Sequence, residues 1–230
     1  MNLKTPSDPK IKRRLGEKIE EKIKEYHQFL RTPPKGEHFE DLVSQALIET
    51  GHASHGWFDG DHAQGTDIWD SPFGSLSLKT NKLYGKNVIR ADMSSHRLTS
   101  FGTDLDAMLD HIKSKKSDFY LLCTRRTDRG KEYRIREKQG GGYEEYEIFL
   151  IPANFLCVRS YDWHEYDGGW KANVSPGFTL SIVKSMSNQF WMRGIPYQRI
   201  KPYSFRRIQV NHRDMPHKML EIRGADPDRT

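Results

Sequence analysis

Two runs of alternating apolar and polar residues flank a tight turn between Gly65 and Thr80, and this segment constrains the fold more than any other. The first run opens Gly65-Thr66-Asp67-Ile68, the turn is Asp70-Ser71-Pro72-Phe73-Gly74, and the second run carries Ser77-Leu78-Lys79-Thr80. The pattern predicts a β-hairpin. A turn centred near Pro72-Phe73 lays Asp67 beside Ser77 and Leu78 on the facing strand. Side chains alternate along a strand, so Ser77 and Lys79 share a face. A carboxylate, a hydroxyl, a backbone carbonyl and an ammonium are thereby expected at one corner.

The rest of the chain must build a core around that hairpin. At 230 residues one α/β domain with elaborations is expected, with two small domains as the alternative. Hydrophobic content is only 35%, but five Trp, ten Tyr and eleven Phe supply bulky core material and argue against global disorder. The net charge of +6 suits a polyanionic partner without identifying one. Cys123 and Cys157 lie far apart in apolar contexts and lack metal-ligand spacing, so both are expected as reduced core residues. The charged N-terminus predicts no signal peptide, and no apolar run approaches the ~18–20 residues that span a bilayer. A cytoplasmic protein of a bacterial or archaeal cell is expected.

Ile11, Leu15, Ile19, Ile23, Tyr26 and Leu30 recur at helical spacing and predict a charged amphipathic helix over residues 9–30. Its polar side is read as a solvated face, or alternatively as a DNA-facing or dimer-forming one. A second helix is predicted from about Glu37 to Thr50, burying Phe39, Leu42, Val43, Ala46 and Leu47, with Gly51 as its stop. Further strands are expected around Asn87–Arg90, at Asp118–Cys123 as a buried centre, and at Phe178–Val183. An exposed hairpin is expected from Tyr133–Glu137 and Tyr143–Leu150 around Gly140-Gly141-Gly142, and a helix in the later part of 98–115. Ser94-Ser95 reads as the cap of a helix start. This order predicts an α/β fold. It divides into an N-terminal helical segment (1–36), a core (37–125) and an elaboration carrying recognition elements (126–230).

An oxygen-rich corner beside a lysine has the chemistry of Mg2+-dependent phosphodiester cleavage. With Glu40 on the preceding helix, Asp67 at a strand start after Gly-Thr, and Ser77-Leu78-Lys79 on the next strand, residues 37–125 resemble the PD-(D/E)xK nuclease superfamily, which includes most type II restriction endonucleases. The resemblance implies a restriction-endonuclease-like core, a mixed central β-sheet flanked by helices. Ser77 departs from the family pattern, because it stands where the second acid belongs. Some restriction endonucleases with Ser-x-Lys recover that acid 13–14 positions later, which here implies Asp92. The resemblance therefore implies catalytic roles for Asp67, Lys79, Asp92, Glu40 and Ser77. Mg2+ would be held by Asp67, Asp92 and the Leu78 carbonyl, with Glu40 assisting and Lys79 orienting water.

Such an enzyme would take double-stranded DNA as its substrate, work as a homodimer on palindromic sites, and have a cognate DNA methyltransferase in the same system. Asn81, Lys82, Lys86, Asn87 and Arg90 follow the catalytic strand and are candidates for phosphate or base contacts, as is Arg97. Asn188, Gln189 and Arg193, beside Trp191, have the character of a base-reading loop, although strand packing explains the aromatics equally well. Arg206-Arg207 and His212-Arg213 extend the basic character. His52, His55, Asp59, Asp61 and His62 allow a transition-metal site, but a polar glycine-rich loop leading into the catalytic strand is the preferred reading. The alternatives are a structure- or mismatch-specific repair nuclease and a catalytically inactive DNA-binding protein.

Overall fold

A computed structural model describes residues 8–30, 32–52, 66–85, 88–114, 117–126 and 143–211. Two long helices come first, α1 (Pro9–Phe29) and α2 (Gly36–Glu49). Asp8 caps α1, its carboxylate accepting the Lys10 N–H at 2.8 Å, and Pro9 occupies the first turn. Gly51, at φ +77°, ends α2 in the left-handed conformation that glycine tolerates best.

A ten-stranded sheet follows: β1 (Ile68–Ser71), β2 (Gly74–Tyr84), β3 (Arg90–Arg97), β4 (Phe119–Arg126), β5 (Tyr143–Pro152), β6 (Trp163–Tyr166), β7 (Gly169–Ser175), β8 (Phe178–Val183), β9 (Gln189–Pro196) and β10 (Ser204–Asn211). Helix α3 (Leu105–Lys113) joins β3 to β4, and the short α4 (Tyr197–Ile200) follows β9. The spatial order is β10-β5-β4-β2-β3-β9-β8-β7-β6, with β1 paired to β2 as a side branch. The β2–β4 pair is parallel and the other described pairs are antiparallel, so the sheet is mixed. The expected α/β class and helix-flanked mixed sheet are thus present.

Parity along the strands sorts the core into two layers. Leu76 and Leu78 of β2, with Phe119 and Leu121 of β4, pack against Leu15, Ile19 and Ile23 of α1 and Phe39, Val43 and Leu47 of α2. The opposite face carries Leu122, Met93, Leu180, Ile182, Phe190 and Met192 under Met108, Leu109 and Ile112 of α3. The first layer uses β1, β2, β4, β5 and β10 only, whereas the second runs on to β7, β8 and β9. Helices α1 and α2 therefore pack one half of their side of the sheet.

The charged face of α1 is engaged within the chain. Lys18 and Lys22 meet Glu49 of α2 at 3.2 and 2.6 Å, and Glu20 accepts from Arg206 Nε of β10 at 2.7 Å. A buried contact joins His27 Nε2 to the Tyr146 hydroxyl of β5 at 2.8 Å.

Five expectations change. Ser94 and Ser95 lie within β3 and not at a helix start, because pairing with β9 claims their backbone. The strand expected around Asn87–Arg90 begins at Arg90. Cys157 is exposed while Cys123 is buried, since Val158 takes the inward position at that turn. Leu30 closes no apolar stripe; it lies past the helix and is exposed. Of the exposed hairpin expected from Tyr133–Glu137 and Tyr143–Leu150 around Gly140-Gly141-Gly142, the turn and first arm lie outside the described residues, and the second arm is β5, which is not exposed because it runs between β10 and β4.

The β1–β2 turn sets where Asp67 falls. Ser71 Oγ accepts the Phe73 N–H at 3.1 Å and donates to Gly74 O at 2.5 Å, closing the turn around Pro72-Phe73. Gly74 sits at φ +96°, and a Cβ there would lie 2.2 Å from Asp118 Oδ2. Gly74→Ala is expected to lower the unfolding free energy by more than about 1 kcal/mol. A urea titration reads this as a lower midpoint at unchanged slope; an unmoved midpoint would show that the turn relaxes freely.

Candidate active site

The candidate site forms where β2 lacks a neighbour along one edge. Strand β1 pairs with β2 between Leu76 and Gly74, and β3 pairs with it at Leu83 and Tyr84. Between those stretches no strand among the described residues covers this edge. The Leu78 N–H and C=O point into the gap, and two side chains answer them. Asp67 Oδ2 accepts the Leu78 N–H at 2.5 Å. Lys79 Nζ donates to Leu78 O at 2.7 Å and lies 3.3 Å from Asp67 Oδ2. A closed cycle of carboxylate, Leu78 backbone and ammonium results.

Local chemistry holds Asp67 in place. Its own N–H donates to Leu76 O at 2.8 Å, which sets the register of the hairpin. Next to it, Thr66 Oγ1 is 2.7 Å from Ser117 Oγ, tying the start of β1 to the start of β4. Asp118 Oδ2 accepts the Ser75 N–H at 2.9 Å, and the Asp118 N–H returns a bond to Ser75 O at 2.9 Å. Asp118 and Thr66 are thus positioning residues that sequence reasoning missed. Before a buried strand, each reads as an ordinary polar boundary.

Glu40 reaches the same corner from α2. Burial pushes its carboxyl up to about 7, and the Asp67 charge pushes the same way, while the Lys79 ammonium pulls it down. Two carboxylates and one ammonium therefore share a partly desolvated corner. Paired acids of this kind take up positive charge readily, so Asp67, Glu40 and the Leu78 carbonyl fit the oxygen ligands that Mg2+ prefers. No group of three His, Cys, Asp or Glu side chains able to share a metal ion occurs among the described residues.

Ser77 and Asp92 are not brought to this corner. Ser77 is 0% exposed, pairs with Tyr120 of β4, and its hydroxyl has no hydrogen-bond partner among the described residues. It shares the parity of Lys79 but lacks the four-carbon stem that brings Nζ back to the strand edge. Asp92 Oδ1 instead accepts the Tyr84 hydroxyl at 2.8 Å and the Gly194 N–H at 2.7 Å. Burial and the Asp92 carboxylate push the Tyr84 phenol up to about 12, so it remains a donor at neutral pH. Asp92 ties β2 to β3 and β9 here, and the acid that feels Asp67 and Lys79 is Glu40.

The candidate DNA contacts divide similarly. The Arg90 guanidinium is held by the carbonyls of Pro176, Gly177 and Gly194, clamping the β7–β8 turn. Asn188 Nδ2 donates to Gly102 O at 2.7 Å, fastening the turn before β9. The Asn81 side chain accepts the Lys82 N–H at 2.8 Å. Arg206 and Arg207 meet Glu20 and Glu147. Lys82, Arg97 and Arg193 are exposed, and Gln189 is half-buried. Lys86, Asn87, His55, Asp59, Asp61, His62 and His212-Arg213 lie outside the described residues.

No family model, curated protein or solved structure matches this chain. No helix among the described residues is long and apolar enough to cross a membrane.

Glu40 carries a pH dependence with a fixed sign. Its folded pKa of about 7 lies above its ordinary value of 4.5, so the folded state binds the proton more tightly. The stabilisation is present below the ordinary value and is lost as pH rises towards 7. Glu40→Gln should abolish that fall. Denaturant midpoints measured at a series of pH values should diverge between wild type and variant across this window; parallel curves would remove Glu40 from the coupled corner.

Proposed function

We propose that the chain is a Mg2+-dependent endonuclease cleaving double-stranded DNA, of the site-specific restriction type, with its active centre at Asp67, Lys79 and Glu40. The observation that carries this reading is the convergence of Asp67 Oδ2 and Leu78 O on the Lys79 ammonium, with Glu40 coupled to the same charges. Asp67, Glu40 and the Leu78 carbonyl would hold the divalent ion. When bound, such an ion polarises a phosphate and lowers the pKa of water.

The chain's own groups supply the rest. Asp67 is fixed by the Leu78 N–H, so its second oxygen is oriented without further ordering. Lys79 offers a compact charge on a flexible stem, suited to orienting a water and to stabilising negative charge on phosphoryl oxygens. Burial and the Asp67 charge leave the Glu40 carboxyl short of positive charge, which favours its taking a cation beside Asp67. A palindromic target would call for two copies related by a two-fold axis.

Plasmid DNA incubated with protein and Mg2+ should yield discrete fragments. Lys79→Ala should slow cleavage at least about a hundredfold while leaving duplex binding in a gel shift intact. Full cutting by that variant would sink the assignment. A random smear in place of discrete fragments would favour a structure-directed repair nuclease.

The two acids separate cleanly. Glu40→Gln is expected to cut at least about a hundredfold more slowly. Asp92→Asn should keep Mg2+-dependent cutting and lose about 1–3 kcal/mol of stability, because it weakens the Tyr84 and Gly194 bonds. The reverse pattern would return the catalytic role to Asp92.

A second reading is a DNA-binding protein without catalysis. It draws on the sealing of Ser77 in the core and on the want of a three-acid group among the described residues. Tight duplex binding with no cutting in the plasmid assay would select it.

A further inference from the structure

The side of the sheet that α1 and α2 pack continues past them. Beyond β2, the buried hydrophobic residues of β3, β7, β8 and β9 all belong to the opposite core layer, under α3. Their other parity forms an outward row on which no helix packs among the described residues. Ser94 of β3 stands opposite Trp191 of β9, Trp191 opposite Ser181 of β8, and Ser181 opposite Lys171 of β7. Arg97 stands opposite Gln189, and Arg193 opposite Thr179, which in turn faces Asn173.

Three observations distinguish this face from an ordinary solvated one. First, Lys82, Arg97, Lys171 and Arg193 are exposed and form no ion pair among the described residues, while Asp92, a carboxylate of this row, is occupied by Tyr84 and Gly194. Second, Ser181 is 5% exposed and its hydroxyl has no partner among the described residues. The Trp191 indole N–H opposite it is likewise buried and unpartnered. Water-facing serines do not leave hydrogen bonds unmade, and a buried polar group without a partner is destabilising until a ligand or another group meets it. Third, the Arg193 guanidinium lies over the Trp191 ring at 5.1 Å, a cation held on the surface by an aromatic and not by an acid.

We infer that this face, from Lys82 on β2 to Lys171 on β7, is a docking surface for the sugar–phosphate backbone of duplex DNA beside the Asp67 corner. The inference rests on the nuclease reading for the identity of the polyanion and extends it to residues outside the site. Four strand spacings separate β2 from β7, about 19 Å. At about 3.4 Å per nucleotide along one strand, that span covers five or six phosphates. Charge complementarity selects the occupant: cations without acids, set among hydroxyls and amides that donate to phosphate oxygens. A phosphate that draws Arg193 from the indole opens Trp191 Nε1 and Ser181 Oγ to hydrogen bonding.

The test is a titration of the full chain with a fluorescein-labelled duplex at a series of KCl concentrations. Lys171→Ala combined with Arg193→Ala should weaken binding and reduce the slope of log K against log salt by about 1.8, roughly 0.9 for each lost phosphate contact. Lys201→Ala, the loss of one positive charge beside Ile200 on the opposite core layer, should leave the slope unchanged. Duplex binding should change tryptophan emission, and Trp191→Phe should remove that change. An unaltered slope in the double variant, an equal loss with Lys201→Ala, or no duplex binding by the wild type overturns the inference. Binding with the expected slopes but without plasmid cutting supports this surface and overturns the nuclease reading.

Discussion

The backbone of one residue, Leu78, organises the candidate site. Its N–H and C=O face a gap in the sheet where a strand edge would otherwise be open to water or to another chain. Asp67 meets the donor and Lys79 meets the acceptor, and the two side chains meet each other. The arrangement needs β1 to be short, so that it stops pairing at Leu76, and β3 to join only at Leu83. A longer β1 would pair with this edge and leave no room for side chains. The turn closed by Ser71 and the clamp of Asp118 on Ser75 therefore bear on the geometry of the candidate site as well as on folding.

The charges divide into two populations. On α1, lysines and glutamates pair with α2 and β10, and Arg159 bridges Asp106 and Asp110 of α3. Exposed pairs of this kind add little stability each, but they neutralise one another and leave little field. At the Asp67 corner the balance is different, with two acids against one ammonium, and partial burial keeps that imbalance unscreened. Burial first, and the Asp67 charge second, push the Glu40 carboxyl towards neutrality.

Legibility from sequence followed the range of the interaction. Helix α2 was readable because Phe39, Val43 and Leu47 repeat at helical spacing, and the hairpin because Pro72 and Gly74 punctuate two alternating runs. Asp67 and Lys79 were readable as neighbours because a tight turn fixes register over a few residues. Asp92 was not, since its fate depends on Tyr84 and on Gly194, a residue one hundred and two positions away. Arg90 was opaque for the same reason; its carbonyl partners belong to the β7–β8 turn and to β9. Ser77 failed differently. Parity gave it the face of Lys79, but only the parallel pairing with β4 reveals that this face is core at its position.

Arg90 and Asp92, read from sequence as a DNA contact and a catalytic acid, are both used to tie strands together. Asp92 joins the half of the sheet packed by α1 and α2 to the half that those helices leave open, and Arg90 braces the open half itself. Arg90 pins the β7–β8 turn to β3, and Asp92 pins Tyr84 of β2 to Gly194 of β9. Gly177 and Gly194, both at positive φ, permit the close approach; a Cβ on Gly194 would lie 2.0 Å from Gly177 O, and one on Gly177 would lie 2.4 Å from the Arg90 guanidinium. Strand β2 contacts β3 through only a short paired stretch, so without the Asp92 tie the orientation of the open half relative to Asp67 would rest on few hydrogen bonds. The tie from Asp92 thus helps to fix the angle between two half-sheets, and that angle sets how the exposed cations of the open half stand relative to the Asp67 corner.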